Sequence, residues 1–387
     1  MKLPGRWRFR NGGRSAGILV SFGGFLSAIV AVEIFLRLFF PQPLSLSFVS
    51  PLGLTLHIPG AEVRYVRSEF DHRVRINSFG LRDNEHSLKK PAGVTRILVL
   101  GDSFAEGKQV LLEETFPKQL ESMLRSQSSN RRWEVVNGGV SGYGTAEEIK
   151  FFELYGRVFE PQIVILAFFV GNDLEDNRNS PFFRWHDGRL EERSLRAPSP
   201  IELLVDRIKE YGASHFHLWQ FLRDRYHTIC ATRFPRGGGG SASVGEENLL
   251  PEIESRQDED WRLTEALLDR LHGSVRKADA RLLIAAIPAR TQVDDTERSQ
   301  ASHAALRPED RDADLRRLAA FARSRSVRFV DLLDSLREAH RQERAYFRID
   351  GHFNARGHAV AAREIFNALL SNGMIGERSP EPATDAN

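Results

Sequence analysis

The chain has 387 residues, 41% of them hydrophobic and 27% charged, with a formal net charge of +2. That length exceeds the usual domain of about 100–200 residues and allows a sizeable core. Near-neutral charge excludes an extended nucleic-acid surface, which would need clustered Lys and Arg with aromatics between them, and the lone Cys230 excludes an intrachain disulfide.

The positive charge is concentrated at the start: Lys2, Arg6, Arg8, Arg10 and Arg14 all precede the first acidic residue, Glu33. Residues 16–32 then carry no charge, and the apolar character continues to Phe40. At 1.5 Å per residue, residues 16–40 would extend about 37 Å, enough for a hydrocarbon core of about 30 Å. Residues 1–15 therefore read as a basic cytoplasmic N-terminus and 16–40 as a single transmembrane anchor, with the rest periplasmic or extracellular by the positive-inside rule. The alternative is a cleaved signal peptide, whose apolar region is normally about 7–15 residues ahead of an A-x-A-like site; this run is longer and stays bulky.

Residues 41–92 read as a small β-rich extension, with alternating AEVRYV (61–66) and HRVRIN (72–77) between Pro and Gly. Gly80, Leu81 and Arg82 either pin this region to the main domain or form an ordinary turn. From residue 93 to 373 the pattern becomes apolar runs separated by helical signals. RILVLG (96–101), WEVVNGG (133–139), QIVILAF (162–168), RLLIAAI (281–287) and VRFVDLL (327–333) suit strands covered on both faces. Helices are expected at 115–126, at 145–156 with a capping box at Thr145 and Glu148, at 261–275, and at 355–373 ending at Gly373. The fold class expected is α/β, a doubly wound, flavodoxin-like five-stranded parallel sheet. Residues 177–258 break the regularity: an inserted, partly helical region without a strand, ending in the low-complexity stretch 236–248. Residues 374–387 read as a disordered tail.

The functional crevice of such a sheet lies beyond the carboxyl ends of its strands. Those ends carry Gly101, Asp102 and Ser103; Asn137 to Gly142; Gly171, Asn172 and Asp173; and, just before the last helix, Asp350 and His352. A serine hydroxyl attacks an ester carbonyl only when an imidazole takes its proton and a third group orients that imidazole. Ser103, His352 and Asp350 supply these groups. The backbone N–H groups of Ser103 and Gly142 and the side-chain amide of Asn172 would serve as oxyanion donors.

These four clusters, GDSF (101–104), NGGVSG (137–142), VGND (170–173) and DGHFN (350–354), resemble in order the four sequence blocks of the SGNH (GDSL-type) hydrolase family. The resemblance covers about 93–373 apart from the insertion. It implies Ser103 as nucleophile and oxyanion donor, Gly142 and Asn172 as further oxyanion donors, His352 as base and Asp350 as its orienter. The family more often spaces acid and histidine as D-x-x-H; the D-x-H here is similar to relatives acting on exported polysaccharides. The competing base is His358, expected inside the last helix one turn beyond the cap Asn354.

Asp102 is expected to hydrogen-bond nearby backbone rather than act as an acid, and Asp173, Glu175 and Asp176 to form a solvated acidic loop. Gly101 and Gly107 fit neither a dinucleotide nor a P-loop spacing. His215 and His217 lack a partner array, so neither metal nor cofactor is expected. The expected activity is that of an exported serine esterase cleaving an acyl ester, short-chain or acetyl, of a cell-envelope glycan or lipid. The alternatives are an O-acyltransferase acting on envelope polysaccharide and a non-catalytic glycan- or partner-binding module.

Overall fold

The computed structural model describes residues 12–42, 44–127, 131–233, 250–294, 296 and 312–376, without the side chains of 12–16, 18, 227–233 and 250–257. The stretch 236–248, residues 377–387, the basic side chains before Gly17 and the Cys230 side chain lie outside what is described. The chain divides into two compact units, residues 1–45 with 200–242 and residues 46–199 with 243–387.

The larger unit opens with two antiparallel hairpins, β1 (Ser47–Val49) with β2 (Thr55–His57) and β3 (Glu62–Val66) with β4 (Asp71–Arg75). Next come β5 (Val94–Gly101), β6 (Arg132–Asn137) and β7 (Ile163–Phe169). A further hairpin follows, β8 (Phe183–His186) with β9 (Arg189–Glu192), where the sequence suggested no strand. Its Arg184, His186 and Arg189 are exposed, so only a weak apolar alternation marked it. The last strands are β10 (Arg281–Ile287) and β11 (Arg328–Asp331).

Five strands form one parallel sheet in the order β6-β5-β7-β10-β11. Counted along the chain this is 2-1-3-4-5, the flavodoxin-like order, and its switch point lies between β5 and β7. The continuous apolar runs are explained by burial on both faces: Ile97 to Leu100 and Ile163 to Leu166 have no exposure. Helix Phe116–Gln127 packs on helix Ala355–Ser371, and helix Thr145–Leu154 on helix Leu250–Lys277.

Two local expectations need correction. Helix Thr145–Leu154 is capped one residue earlier, at Gly144, whose N–H donates to Glu147 Oε2 at 3.2 Å. Glu148, assigned to the cap by the T-x-x-E spacing, is buried instead. The tail also starts later than 374: Met374 and Ile375 are buried, and Arg281 Nη2 donates to the Met374 carbonyl at 2.6 Å.

In the smaller unit, helix Gly12–Phe39 contains a stretch, Leu19–Phe39, long and apolar enough to cross a membrane. Two more helices, Pro200–His215 and His217–Arg233, complete what is described of this unit.

Candidate active site

Strand β5 ends at Gly101, and Asp102 turns the chain into the short helix Ser103–Glu106. Asp102 Oδ1 accepts the Phe104 N–H at 2.8 Å, so Asp102 caps this helix, the role its position suggested. Ser103 is then the first helical residue, with its N–H among those the helix itself leaves unpaired. Arg82 holds the far end of the same turn. Its buried guanidinium donates to the carbonyls of Glu106 (2.7 Å), Gly107 (2.6 Å) and Val110 (2.5 Å), so Gly80-Leu81-Arg82 pins the extension to the main unit.

The last loop carries the other two residues expected in the relay. Ser103 Oγ lies 2.8 Å from His352 Nε2, and His352 Nδ1 lies 2.6 Å from Asp350 Oδ1. With the imidazole proton on Nδ1, that N–H donates to the carboxylate and the serine hydroxyl donates to Nε2. Gly351 makes the short D-x-H spacing workable. Its φ of 85° is a left-handed turn that folds the Asp350 side chain back towards a histidine two residues on.

Burial alone would raise the Asp350 pKa, but the hydrogen bond and charge of His352, with Arg67 nearby, hold it below its ordinary value. The acid is therefore ionised at neutral pH.

Two features of this relay carried no readable signal in the sequence. Glu69, from the extension, accepts the backbone N–H groups of Arg348 (2.7 Å), Ile349 (2.8 Å) and Asp350 (2.8 Å). Arg290 grips the same loop by donating to the carbonyls of Phe347 (2.9 Å) and Arg348 (2.5 Å). Phe104, an apolar exchange within the first block, is buried with its ring 4.9 Å from the His352 ring and 4.8 Å from Phe353. It is a packing wall for the imidazole.

Replacing Glu69 with alanine should lower kcat for ester turnover about 10- to 100-fold, since small misplacements of an acid–base pair are costly. Steady-state kinetics should show KM little changed, and a kcat equal to that of the wild type would remove Glu69 from the positioning of the loop.

The oxyanion donors assigned by sequence lie on neighbouring loops. Gly142 follows β6 with φ 81°, and no heavy atom lies within 4 Å of where a Cβ would stand, so its backbone conformation rather than crowding calls for glycine. Ser141, just before it, is fixed by Glu106: its N–H and hydroxyl donate to Glu106 Oε2 at 2.8 and 2.5 Å. Burial would raise the Glu106 pKa, but Lys108 and His57, each 3.0 Å away, and Ser141 hold it far below the usual range. Asn172 occupies the cap of helix Asp173–Asn179 without making a side-chain capping bond, and its Oδ1 is buried without a partner. His358 is not brought into the relay. It is buried, its Nδ1 accepts the Phe116 N–H at 3.2 Å, and burial, with Arg82 and His352 nearby, pushes its pKa down to about 3.

The acidic run after Asn172 is a helix start and not a loop, and of its acids Glu175 is exposed as expected while Asp173 is not. Asp173 is buried at a helix start, where its Oδ2 accepts the Phe169 N–H at 3.0 Å. Behind the site it belongs to a layer with Asp102 and Glu148. Burial raises all three, helped by repulsion from Asp176 and, further, from Asp102 at Glu148 and from Glu148 and Asp102 at Asp173: Asp102 rises to about 7 and the other two well above their ordinary values, while burial and Glu175 raise Asp176 to about 6. Raising the Asp102 and Asp173 pKa values lessens the negative charge held beside Ser103 and Asn172, where it would oppose an oxyanion. Neither Glu148 oxygen has a partner.

An acid whose folded pKa is raised costs stability increasingly as pH rises past its unfolded value of about 4.3. The Tm of Glu148→Gln relative to wild type should therefore be higher at pH 8 than at pH 4 in a thermal melt. The opposite slope would contradict the buried neutral acid.

Among the described residues no group of three His, Cys, Asp or Glu is arranged to hold a metal. His215 stacks on Tyr211 at 4.2 Å, and His217 Nδ1 accepts the Gln42 N–H at 2.8 Å.

A serine hydroxyl at the switch point of a flavodoxin-like sheet thus lies within hydrogen-bond reach of an imidazole, and that imidazole of a carboxylate, both from the last loop. A family model described as GDSL-like lipase/acylhydrolase matches residues 99–360, and the chain belongs to that family. No curated protein sequence matches it.

Among solved structures it is similar to TesA (12% identity, TM-score 0.39, covering 72% of this chain and 99% of that one). It is also similar to a catalytic mutant of Axe2, an acetylxylan esterase from Geobacillus stearothermophilus (15%, 0.39, 71% and 94%). A two-domain esterase active on acetylated mannans is similar too (14%, 0.39, 76% and 54%).

Proposed function

We propose that this hydrolase is an exported serine esterase, held to a membrane by helix Gly12–Phe39, that cleaves a short acyl or acetyl ester of an envelope glycan or lipid. The reading rests chiefly on the unbroken hydrogen-bond path from Ser103 Oγ through His352 to Asp350, at 2.8 and 2.6 Å. The Ser103 hydroxyl proton passes to His352 Nε2 as Oγ bonds to the carbonyl carbon, and Asp350 steadies the imidazolium. The N–H groups of Ser103 and Gly142 and the amide of Asn172 take the oxyanion. The tetrahedral centre then collapses, the alcohol leaves with the proton from Nε2, and an acyl-serine remains. Water gives a proton to the same imidazole as it attacks the acyl carbon; the bond to Oγ then breaks, Oγ takes the proton back from Nε2, and the carboxylic acid leaves.

The outward location rests on the basic residues that precede Glu33, all on the N-terminal side of the apolar stretch Leu19–Phe39. The test is acetyl release by the full chain, in detergent or vesicles, from an aryl acetate and from acetylated polysaccharide, with an unacetylated polysaccharide added as acceptor. Release into water supports an esterase. Acetyl appearing on the added polysaccharide instead identifies a transferase with the same first step, and inertness towards every ester defeats the catalytic reading.

A further inference from the structure

The inserted helices carry apolar side chains that the described chain does not cover. In helix Pro200–His215, Ile201, Leu204, Val205, Ile208 and Tyr211 recur at helical spacing and form one stripe, while Glu202, Asp206, Lys209 and Glu210 lie away from it. Such a stripe normally faces a core. Here its residues are 41–74% exposed. The next helix repeats the pattern, with exposed Trp219, Leu222 and Tyr226 at i, i+3 and i+7.

The same two helices are tied to the apolar N-terminal helix by the only charges in its distal half. Glu33 and Arg37 pair at 2.7 Å, one turn apart. Glu33 Oε1 accepts the His217 N–H at 3.0 Å and Oε2 the Leu218 N–H at 2.8 Å, so its carboxylate caps the start of helix His217–Arg233. Arg37 donates to the His215 carbonyl at 2.6 Å, and the Ser45 N–H to that of Ala213 at 2.9 Å. The bend between the inserted helices is thus fastened to residues 33–45. Glu33 is six residues from the helix end at Phe39, about 9 Å along the axis.

We propose that helices Pro200–His215 and His217–Arg233 form an interfacial platform that lies on the lipid surface, with the Ile201–Tyr211 stripe sunk into the headgroup–acyl boundary. The inference rests on the anchor reading above. Lipid is the occupant because the bend is hydrogen-bonded to the last turns of the span, at the depth where interfacial helices bury their apolar faces, about 5–10 Å into the boundary. Trp219, Tyr211 and Tyr226 are residue types favoured there. The charges of the first helix nearly balance, Glu202, Asp206 and Glu210 against Arg207 and Lys209, so attachment depends on apolar area and not on anionic lipid.

The test uses the full chain in the Cys230→Ser background, reconstituted in phosphatidylcholine vesicles with and without phosphatidylglycerol. Single cysteines are introduced as Leu204→Cys and Ile208→Cys on the stripe, Asp206→Cys and Lys209→Cys on the polar face, and Leu26→Cys in the span, each labelled with an environment-sensitive fluorophore. Lipids bearing a nitroxide near the headgroup should quench the labels at 204 and 208 several-fold more strongly than those at 206 and 209, in both lipid mixtures and at high salt.

Equal quenching at all four helix positions, with the label at 26 still reached by a deep nitroxide, overturns the platform and leaves the anchor standing. Shielding of 204 and 208 that follows protein density and ignores the nitroxide lipid assigns the stripe to a second copy and also overturns it. Failure of the label at 26 to be quenched at any depth defeats the anchor and the platform together.

Discussion

Replacing Ser103 with alanine is expected to lower ester turnover by about 10⁴-fold or more, because removing a nucleophile abolishes the covalent route and leaves only binding and oxyanion stabilisation. His352→Ala should fall to a similar level, and the double variant should be no worse than either alone, since the two groups act as one unit. Asp350→Asn should retain the fold but lose roughly 10²- to 10⁴-fold in kcat, because an amide neither favours the Nδ1–H tautomer nor steadies the imidazolium. Initial rates on an aryl acetate, with circular dichroism as a check on folding, measure all of these. If Ser103→Ala kept more than a small fraction of the activity, another residue would have to be the nucleophile.

The largest stability effect is expected at Asp83, immediately after the Arg82 clamp. Its buried carboxylate accepts the Asn137 N–H at 2.7 Å, lies 2.8 Å from His86 Nε2, and meets the buried Lys118 ammonium at 2.5 Å. It thereby fastens the end of β6, where the loop to Gly142 begins, to helix Phe116–Gln127. Asp83→Ala leaves the buried Lys118 ammonium with the Glu121 carboxylate and the Val135 carbonyl and should cost about 3–5 kcal/mol, the usual penalty for breaking a buried charge pair.

Burial alone would raise the Asp83 pKa, but Lys118 and His86 outweigh it and hold the value below the ordinary one. A depressed acid stabilises the fold above its unfolded pKa of about 3.9 and loses that contribution as pH falls through the folded value. Wild-type stability should therefore decline with acidification below about pH 4, and the decline should be shallower in Asp83→Ala. Urea melts at pH 3 and pH 7 would show it, and a variant with unchanged midpoint at pH 7 would rule out the network as a stabilising element.

What could be read from the sequence was whatever the local pattern determines. Runs such as Ile163 to Leu166 are apolar because both faces of a central strand are covered, so the five strands and their order of occurrence were visible. Ser103, His352 and Asp350 were visible because block spacing and strand ends are local properties, although they meet across 249 residues of chain.

Glu69 was not visible. A single exposed-looking acid in a hairpin turn gives no sign that three amides from residues 348–350 will converge on it. Asp173 misled for a related reason: an acidic run normally marks solvent, and the packing of helices Thr145–Leu154 and Leu250–Lys277 against helix Asp173–Asn179 makes it a buried acid. Glu148 matched a capping pattern by spacing, yet Gly144 took the cap and Glu148 turned inward. The platform stripe was hidden because an exposed amphipathic helix and a core-facing one share the same periodicity.

The central claim is that Ser103 is the residue that becomes acylated. The direct test is to treat the full chain with a serine-directed fluorophosphonate and to locate the adduct by peptide mass spectrometry. The account predicts one stoichiometric adduct on the peptide carrying Gly101-Asp102-Ser103, absent from Ser103→Ala and slowed in His352→Ala. An unlabelled chain that still turns over ester, or an adduct on any other residue, would contradict it.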